Sequence, residues 1–387
     1  MDFGPTPEQT ALLEGIGRVC SGFGDDYWRD CDREHRFPDA FHDAIAAGGW
    51  LGVAMPVEYG GAGLGVTEAA LMMQAVARCG AMAAASSIHM NIFGPHPVVI
   101  HGTEAQKRRF LPPLIAGQAR TCFGVTEPDA GLDTGRISTR AERVPGGYVV
   151  HGRKIWTSTA QSARKIMLLA RTTPREQCRR GTEGLTLFYA DLDRSVVEVR
   201  EIPKMGRHAV DSNQLFIDGL RIPDEDRIGA EGEGFRCLLH GLNPERVLVG
   251  MEAVGIGQDA IDRAARYGRE RVVFGRPIGA NQGIQHPLAQ SWAELEAARL
   301  LCLRAAWLYD TGQSCGAEAN AAKYLAAEAG VSACLRAMNT LGGMGYAQEF
   351  HVERLLREAM IPKLTPISAQ LALCHVAEHA LGLPKSY

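Results

Sequence analysis

The spacing of apolar residues changes twice along this chain, and that double change limits what it can fold into. Residues 1 to about 120 carry helical spacing. From about 121 to 230 the apolar runs become short or alternating, at 148–150, 166–169, 185–188, 197–199 and 214–217. Turn residues separate them, at 145–147 (PGG) and 218–219 (DG). From about 231 the helical period returns. Val247, Met251, Val254, Ile261 and Ala265 form one stripe, followed by 288–307, 317–337 and two shorter segments through His379. Strands in series with no helices between them predict a small β-barrel or sandwich. The expected fold class is α+β: an N-terminal helical domain over 1–120, a middle β domain over 121–230, and a C-terminal helical bundle over 231–387.

Local signals refine this. Thr6, Pro7 and Gln9 mark a helix start. Phe41 and Ile45 precede Gly48 and Gly49, a helix ending in glycine. Residues 60–65 (GGAGLG) have the glycines of a dinucleotide loop, but no βαβ unit surrounds them. They predict a tight loop before an Ala-rich helix over 68–78, with a loop at 82–97 and a surface helix starting near Thr103. Residues 175–180 predict an exposed polar loop.

The chain has 387 residues, 22% of them charged, and a net charge of −3. That balance argues against bulk electrostatic binding of nucleic acid. Ten cysteines occur with no Cys-x-x-Cys pair, which predicts reduced structural thiols. No signal segment or bilayer-length run is evident, so a cytoplasmic enzyme without membrane attachment is expected. His89, His96 and His101 lack ligand spacing and read as structural, with no metal site expected.

Two stretches carry chemistry. Residues 122–133 (CFGVTEPDAGLD) begin as a strand and break at Pro128. Gly131 permits positive φ and close backbone approach. Residues 154–158 (KIWTS) end another strand with a large aromatic and hydroxyls. A flavin needs a flat ring against its tricycle, donors at its edge and close backbone for its phosphates. Each stretch also has a plain reading, as a β-turn and a core tryptophan.

Together the two stretches resemble the acyl-CoA dehydrogenase family, whose pattern reads T-E-P-x-A-G-x-D and then K-x-W-[IT]-[ST]. Residues 55–61 (MPVEYGG) and 102–107 (GTEAQK) extend the resemblance over nearly the whole chain. It implies FAD as cofactor and α,β-dehydrogenation of an acyl-CoA, with a carboxylate removing the α-proton while a hydride leaves Cβ. The family's commoner base follows an R-[DE]-A motif. Counted from Arg357, Glu358 and Ala359, that seat holds Pro366, followed by Ile367. The backbone N–H that holds the thioester oxygen in the family is therefore also missing, because proline has none.

The isovaleryl and long-chain branches carry their base on the first bundle helix, directly before an Arg. Here that pattern falls on Glu245 and Arg246, and Glu245 is the expected base. If Asn243 caps a helix and Pro244 is its first residue, the positive helix end lowers the Glu245 pKa while burial raises it. The plain alternative is a first-turn glutamate stabilising its helix.

By resemblance, Phe123, Val125, Thr126, Gly131, Leu132, Trp156 and Ser158 contact the flavin, with Leu132 standing where Ser is usual. Arg271, Phe274 and Gln282 match residues that reach a neighbouring subunit's flavin, and Arg271 suits its phosphates. Asn339 and Gly343 serve the same moiety; Ser368 and Gln370 match the last flavin contacts. Asn243, Arg246 and Leu132 match the CoA side. A homo-oligomer follows, a dimer of dimers, with an electron-transfer flavoprotein as acceptor. The same fold also serves oxygen-using flavoenzymes, enzymes acting on carrier-protein thioesters and flavin-binding proteins without catalysis.

Overall fold

The computed structural model describes residues 4–386. Six helices come first: α1 (Pro7–Cys20), α2 (Asp25–Glu34), α3 (Asp39–Ala47), α4 (Val66–Phe93), α5 (His96–His101) and α6 (Glu104–Ile115). Thr6 and Gln9 cap α1 reciprocally, and Thr103 and Gln106 do the same for α6. The helix α3 stops at Gly48 as its sequence predicts. The expected loop at 82–97 is mostly helix instead. The helix α4 breaks at Gly80 and Ala81, where Ala81 has φ 57°, and then runs on to Phe93. The restart is capped from far away: the Glu358 carboxylate accepts from the Ala83 N–H at 2.8 Å, and Arg354 donates to the Gly80 carbonyl.

Eight strands follow: β1 (Thr121–Gly124), β2 (Arg140–Val144), β3 (Gly147–Ser158), β4 (Lys165–Arg171), β5 (Leu185–Asp191), β6 (Val197–Glu201), β7 (Ser212–Pro223) and β8 (Arg227–Ile228). They form one sheet in the order β6-β7-β3-β2-β4-β5-β8, with β1 beside β4. Alternate residues of β4 serve two cores: Ile166 and Leu168 one, Met167 and Leu169 the other. The expected turn at Asp218 and Gly219 is a correction: both lie inside β7, opposite a register shift at Val150 and His151. Gly219 has φ 86°, so the glycine serves a bulge, not a turn. Residues 175–177 form an exposed 3₁₀ turn in the predicted polar loop.

The last part comprises α7 (Gly234–Glu270), a hairpin of β9 (Val272–Val273) and β10 (Arg276–Pro277), then α8 (Gln282–Asp310), α9 (Gly316–Leu341), α10 (Gly343–Tyr346), α11 (Val352–Leu364) and α12 (Ala369–His379). One apolar cluster runs from Ile16 and Trp28 through Met72 and Ile88 to Val254, Ala326 and Leu355. The first and last helical blocks therefore share a core, and the sheet packs at their side.

Candidate active site

The two sequence stretches meet in space. The Ile155 N–H donates to the Thr126 carbonyl at 2.9 Å. Beneath them Lys154, wholly buried, donates to the Val125 carbonyl at 3.0 Å and to Glu127 at 2.9 Å. Glu127 also accepts from the Ser138 N–H and hydroxyl, both at 2.8 Å, and from the Thr139 N–H at 3.0 Å. Burial alone would raise the Glu127 carboxyl; Lys154, Thr139 and Ser138 outweigh it and hold it at about 2. Burial pulls Lys154 down to about 8. Both groups are charged at neutral pH, and the pair fixes the loop to its strand.

Above this clamp the ladder between β3 and β7 is interrupted from Lys154 to Thr157. Trp156 sits in the interruption with φ 60° and is 56% exposed. A tryptophan held in left-handed backbone with its ring in the open is strain that the chain's own packing does not use. The Phe123 ring lies beside Phe93 at 5.3 Å, and Val125 packs against the core shared with α6. Gly131 is a correction: its φ is not positive, and a Cβ there would meet nothing within 4 Å. Neither turn geometry nor crowding within the chain calls for that glycine. The same holds for Gly343. An exposed strained ring, open backbone at two glycines and the hydroxyls of Thr126 and Ser158 fit a bound flavin dinucleotide. Leu132, beside Gly131, is 54% exposed.

Glu245 does not stand at a helix start. The helix α7 begins nine residues before Asn243, so Asn243 is no cap and the helix dipole does not act on Glu245. Pro244 lies inside the helix and cannot bond the His240 carbonyl four residues back. The Tyr309 hydroxyl donates to that carbonyl instead, at 3.3 Å, and the His96 Nε2 meets the same hydroxyl at 2.7 Å. A side chain from α8 thus carries the helix through its proline. Glu245 is half-buried and its carboxylate makes no hydrogen bond among the described residues. Burial raises its pKa to about 7, against the pull of His89 and Arg246; Glu252 adds to the rise and Lys323 opposes it. Arg246 donates to the Asn243 amide oxygen at 2.7 Å, so these two predicted substrate residues form one unit.

The remaining predicted residues divide between two ends of the bundle. Ser368 caps α12 by accepting from the Leu371 N–H, with exposed Gln370 in the first turn. Lys323 ties this segment to the Glu245 end, donating to the Ile367 carbonyl at 2.7 Å. Pro366 occupies the loop between α11 and α12, and the Ile367 N–H beside it has no partner among the described residues. Arg271, Phe274, Gln282, Asn339 and Gly343 lie at the opposite end, where α7 and α9 finish and α8 begins. At 1.5 Å per residue, Arg271 is about 39 Å along α7 from Glu245. Phe274 and Gly275 form the tip of the hairpin with φ 51° and 79°, a primed two-residue turn. It holds the Phe274 ring fully in solvent.

Sequence reasoning missed three buried polar residues here. Arg207 donates to Ser158 at 3.1 Å, Ser212 at 2.6 Å and Ser86 at 3.2 Å, tying β3 and β7 to α4. His89 and Glu252 pair at 2.7 Å between α4 and α7. Arg207 reaches Ser86 across 121 residues and His89 meets Glu252 across 163, and no local motif marks them.

Three family models match in succession: the N-terminal domain of acyl-CoA dehydrogenase over residues 6–118, the middle domain over 122–220 and the C-terminal domain over 232–365. The chain is 35% identical over 382 residues to the acyl-CoA dehydrogenase FadE12 of Mycobacterium tuberculosis, covering 98% of this chain and 97% of that one. It superposes on butyryl-CoA dehydrogenase from Megasphaera elsdenii with a TM-score of 0.93 at 28% identity, covering 98% of this chain and all of the other. A glutaryl-CoA dehydrogenase in complex with glutaryl-CoA gives a TM-score of 0.93 at 31% identity, covering 100% and 98%.

Proposed function

We propose, from the premise that this chain belongs to the acyl-CoA dehydrogenase family, that it oxidises the Cα–Cβ bond of an acyl-CoA thioester to the trans-2-enoyl thioester, with Glu245 as the base. It is an FAD-dependent oxidoreductase acting on CH–CH bonds. Bound FAD supplies the acceptor for the hydrogen and electron pair that leave Cβ.

The observation that carries the role of Glu245 is a desolvated carboxylate without a hydrogen-bond partner, poised near neutrality. Burial strengthens it as a base toward a weakly acidic C–H while leaving much of it ionised at pH 7. The Cα proton passes to a Glu245 oxygen, and the C–H pair left behind becomes the new double bond. Trp156 and Gly131 would hold the flavin over this space, with Thr126 and Ser158 as donors near its edge. Arg246 and Asn243, joined to each other, would face the CoA side. Arg271, Phe274, Gln282, Asn339 and Gly343 lie too far along the bundle to reach the flavin beside Glu245. They suit the cofactor of a second copy, which supports a homo-oligomer, a dimer of dimers in our reading. Reoxidation by an electron-transfer flavoprotein, a cytoplasmic setting and domain limits at 120/121 and 230/231 complete the proposal. Among the described residues no helix is long and apolar enough to cross a membrane.

The test is anaerobic bleaching of the bound flavin by straight, branched and cyclic acyl-CoAs, followed across pH. Since the base must be ionised and its pKa is raised, the bleaching rate should climb with pH through about 7 and level off above it. No bleaching by any acyl-CoA, or a rate flat from about pH 6 to 8, would overturn the reading.

A further inference from the structure

His89 and Glu252 pose a question that the reaction leaves open. Glu252 follows Glu245 by two turns on α7, so both carboxylates lie on one helix face, about 10 Å apart along the axis. Glu252 is fully buried, with one oxygen 2.7 Å from the His89 Nδ1. Its second oxygen is sealed and has no partner among the described residues. His89 is 5% exposed, and its Nε2 makes no hydrogen bond among the described residues. The neighbouring hydroxyls are already engaged: Ser87 donates to the Ala84 carbonyl, and Ser86 accepts from Arg207. A histidine and glutamate serving only the core would gain nothing over apolar residues of the same volume. Here the carboxylate fixes the ring through Nδ1 and leaves the other nitrogen unpartnered among the described residues, within electrostatic reach of Glu245. Burial disfavours a charged ring, but the carboxylates of Glu252 and Glu245 outweigh it and raise the His89 pKa, which favours Nε2 as a donor.

We propose that His89, oriented by Glu252, determines acyl specificity, selecting thioesters whose acyl group carries an oxygen acceptor (hydroxyl, keto or carboxylate) beyond the β-carbon. The proposal rests on the reading of Glu245 as the base, since that residue sets where the α-carbon lies. Glu252 and His89 then fall along the distal part of the acyl group. A saturated hydrocarbon there would leave the imidazole N–H without a partner, which disfavours it.

The experiment compares the holoenzyme with its His89→Leu and His89→Gln variants. The probes are a 4-hydroxyacyl-CoA, a 4-oxoacyl-CoA, a dicarboxylic mono-CoA thioester and the unsubstituted acyl-CoA of equal length. The unaltered enzyme should prefer at least one oxygenated probe by about tenfold or more in kcat/KM. His89→Leu should bring that ratio to within about twofold, and His89→Gln, which keeps a donor, should retain part of it. Calorimetry should show the oxygenated enoyl product binding about tenfold more weakly to His89→Leu, a readout independent of turnover. Bleaching by the unsubstituted thioester with no preference for any oxygenated one would sink this proposal while leaving Glu245 as the base. A preference that persists in His89→Leu would sink it as well. Failure of every thioester to bleach the flavin would overturn both readings.

Discussion

Glu245→Gln is expected to leave FAD bound, with an unchanged visible spectrum, and to slow its bleaching by acyl-CoA by about 10³-fold or more. A positioned general base contributes roughly 10²–10⁴ in rate, and the neighbouring carboxylate on the same helix face is engaged elsewhere. Glu252, two turns on along α7, is committed to His89. The family's commoner seat holds Pro366, which cannot take a proton. Glutamine matches glutamate in volume, so the helix and the Tyr309 contact should persist. Anaerobic stopped-flow measures the rate and the flavin spectrum reports occupancy. A variant that bleaches within tenfold of the unaltered protein would remove Glu245 from the mechanism. Loss of flavin alone would instead assign it a structural task.

Lys154→Met is expected to cost about 3–5 kcal/mol, because Glu127 would stay buried and charged with its cation gone. For a chain of this length that corresponds to a fall of about 4–6 °C in a cooperative melt. Flavin should be lost along with stability, since the pair clamps the Thr126 loop onto the strand that carries Trp156. The deficit should depend on acidity. Glu127 titrates at about 2 in the fold, below its ordinary 4.5, so its contribution is full above pH 4.5 and is lost as pH falls toward 2. Lys154→Met forfeits that contribution, and the gap between the two proteins should narrow from about pH 5 to 3. Adding Glu127→Met should recover much of the loss, since a buried pair replaced by apolar residues costs far less than a broken one. Thermal melts of the four proteins close the cycle. A single variant as stable as its parent would deny the clamp its part.

The alternation of short strands and the helical stripes on either side made the three-block architecture legible, because each period reflects a local geometry. The residues around Thr126 and Trp156 were legible for a different reason: their order along the chain is dense and specific. What escaped depends on partners far away in sequence. Pro244 reads as a helix start, and the Tyr309 hydroxyl that lets α7 run through it comes from another helix. The restart of α4 after Ala81 is capped by Glu358, 275 residues on. Asp218 and Gly219 carry turn chemistry but answer to a bulge imposed by β3. His89 and Glu252 belong to no motif; only the packing of α4 on α7 makes them a pair.

The distance between the Glu245 end and the hairpin at Phe274 bears on how defects combine. In an assembly whose reaction centres each borrow the hairpin of the adjoining protomer, a lesion at the hairpin disables the neighbour's centre, and a lesion at Glu245 disables its own. Two inactive proteins, one damaged at each place, should therefore regain activity when co-expressed. Within a mixed dimer, one of the two centres would unite an intact carboxylate with an intact hairpin. Each parent alone would have none.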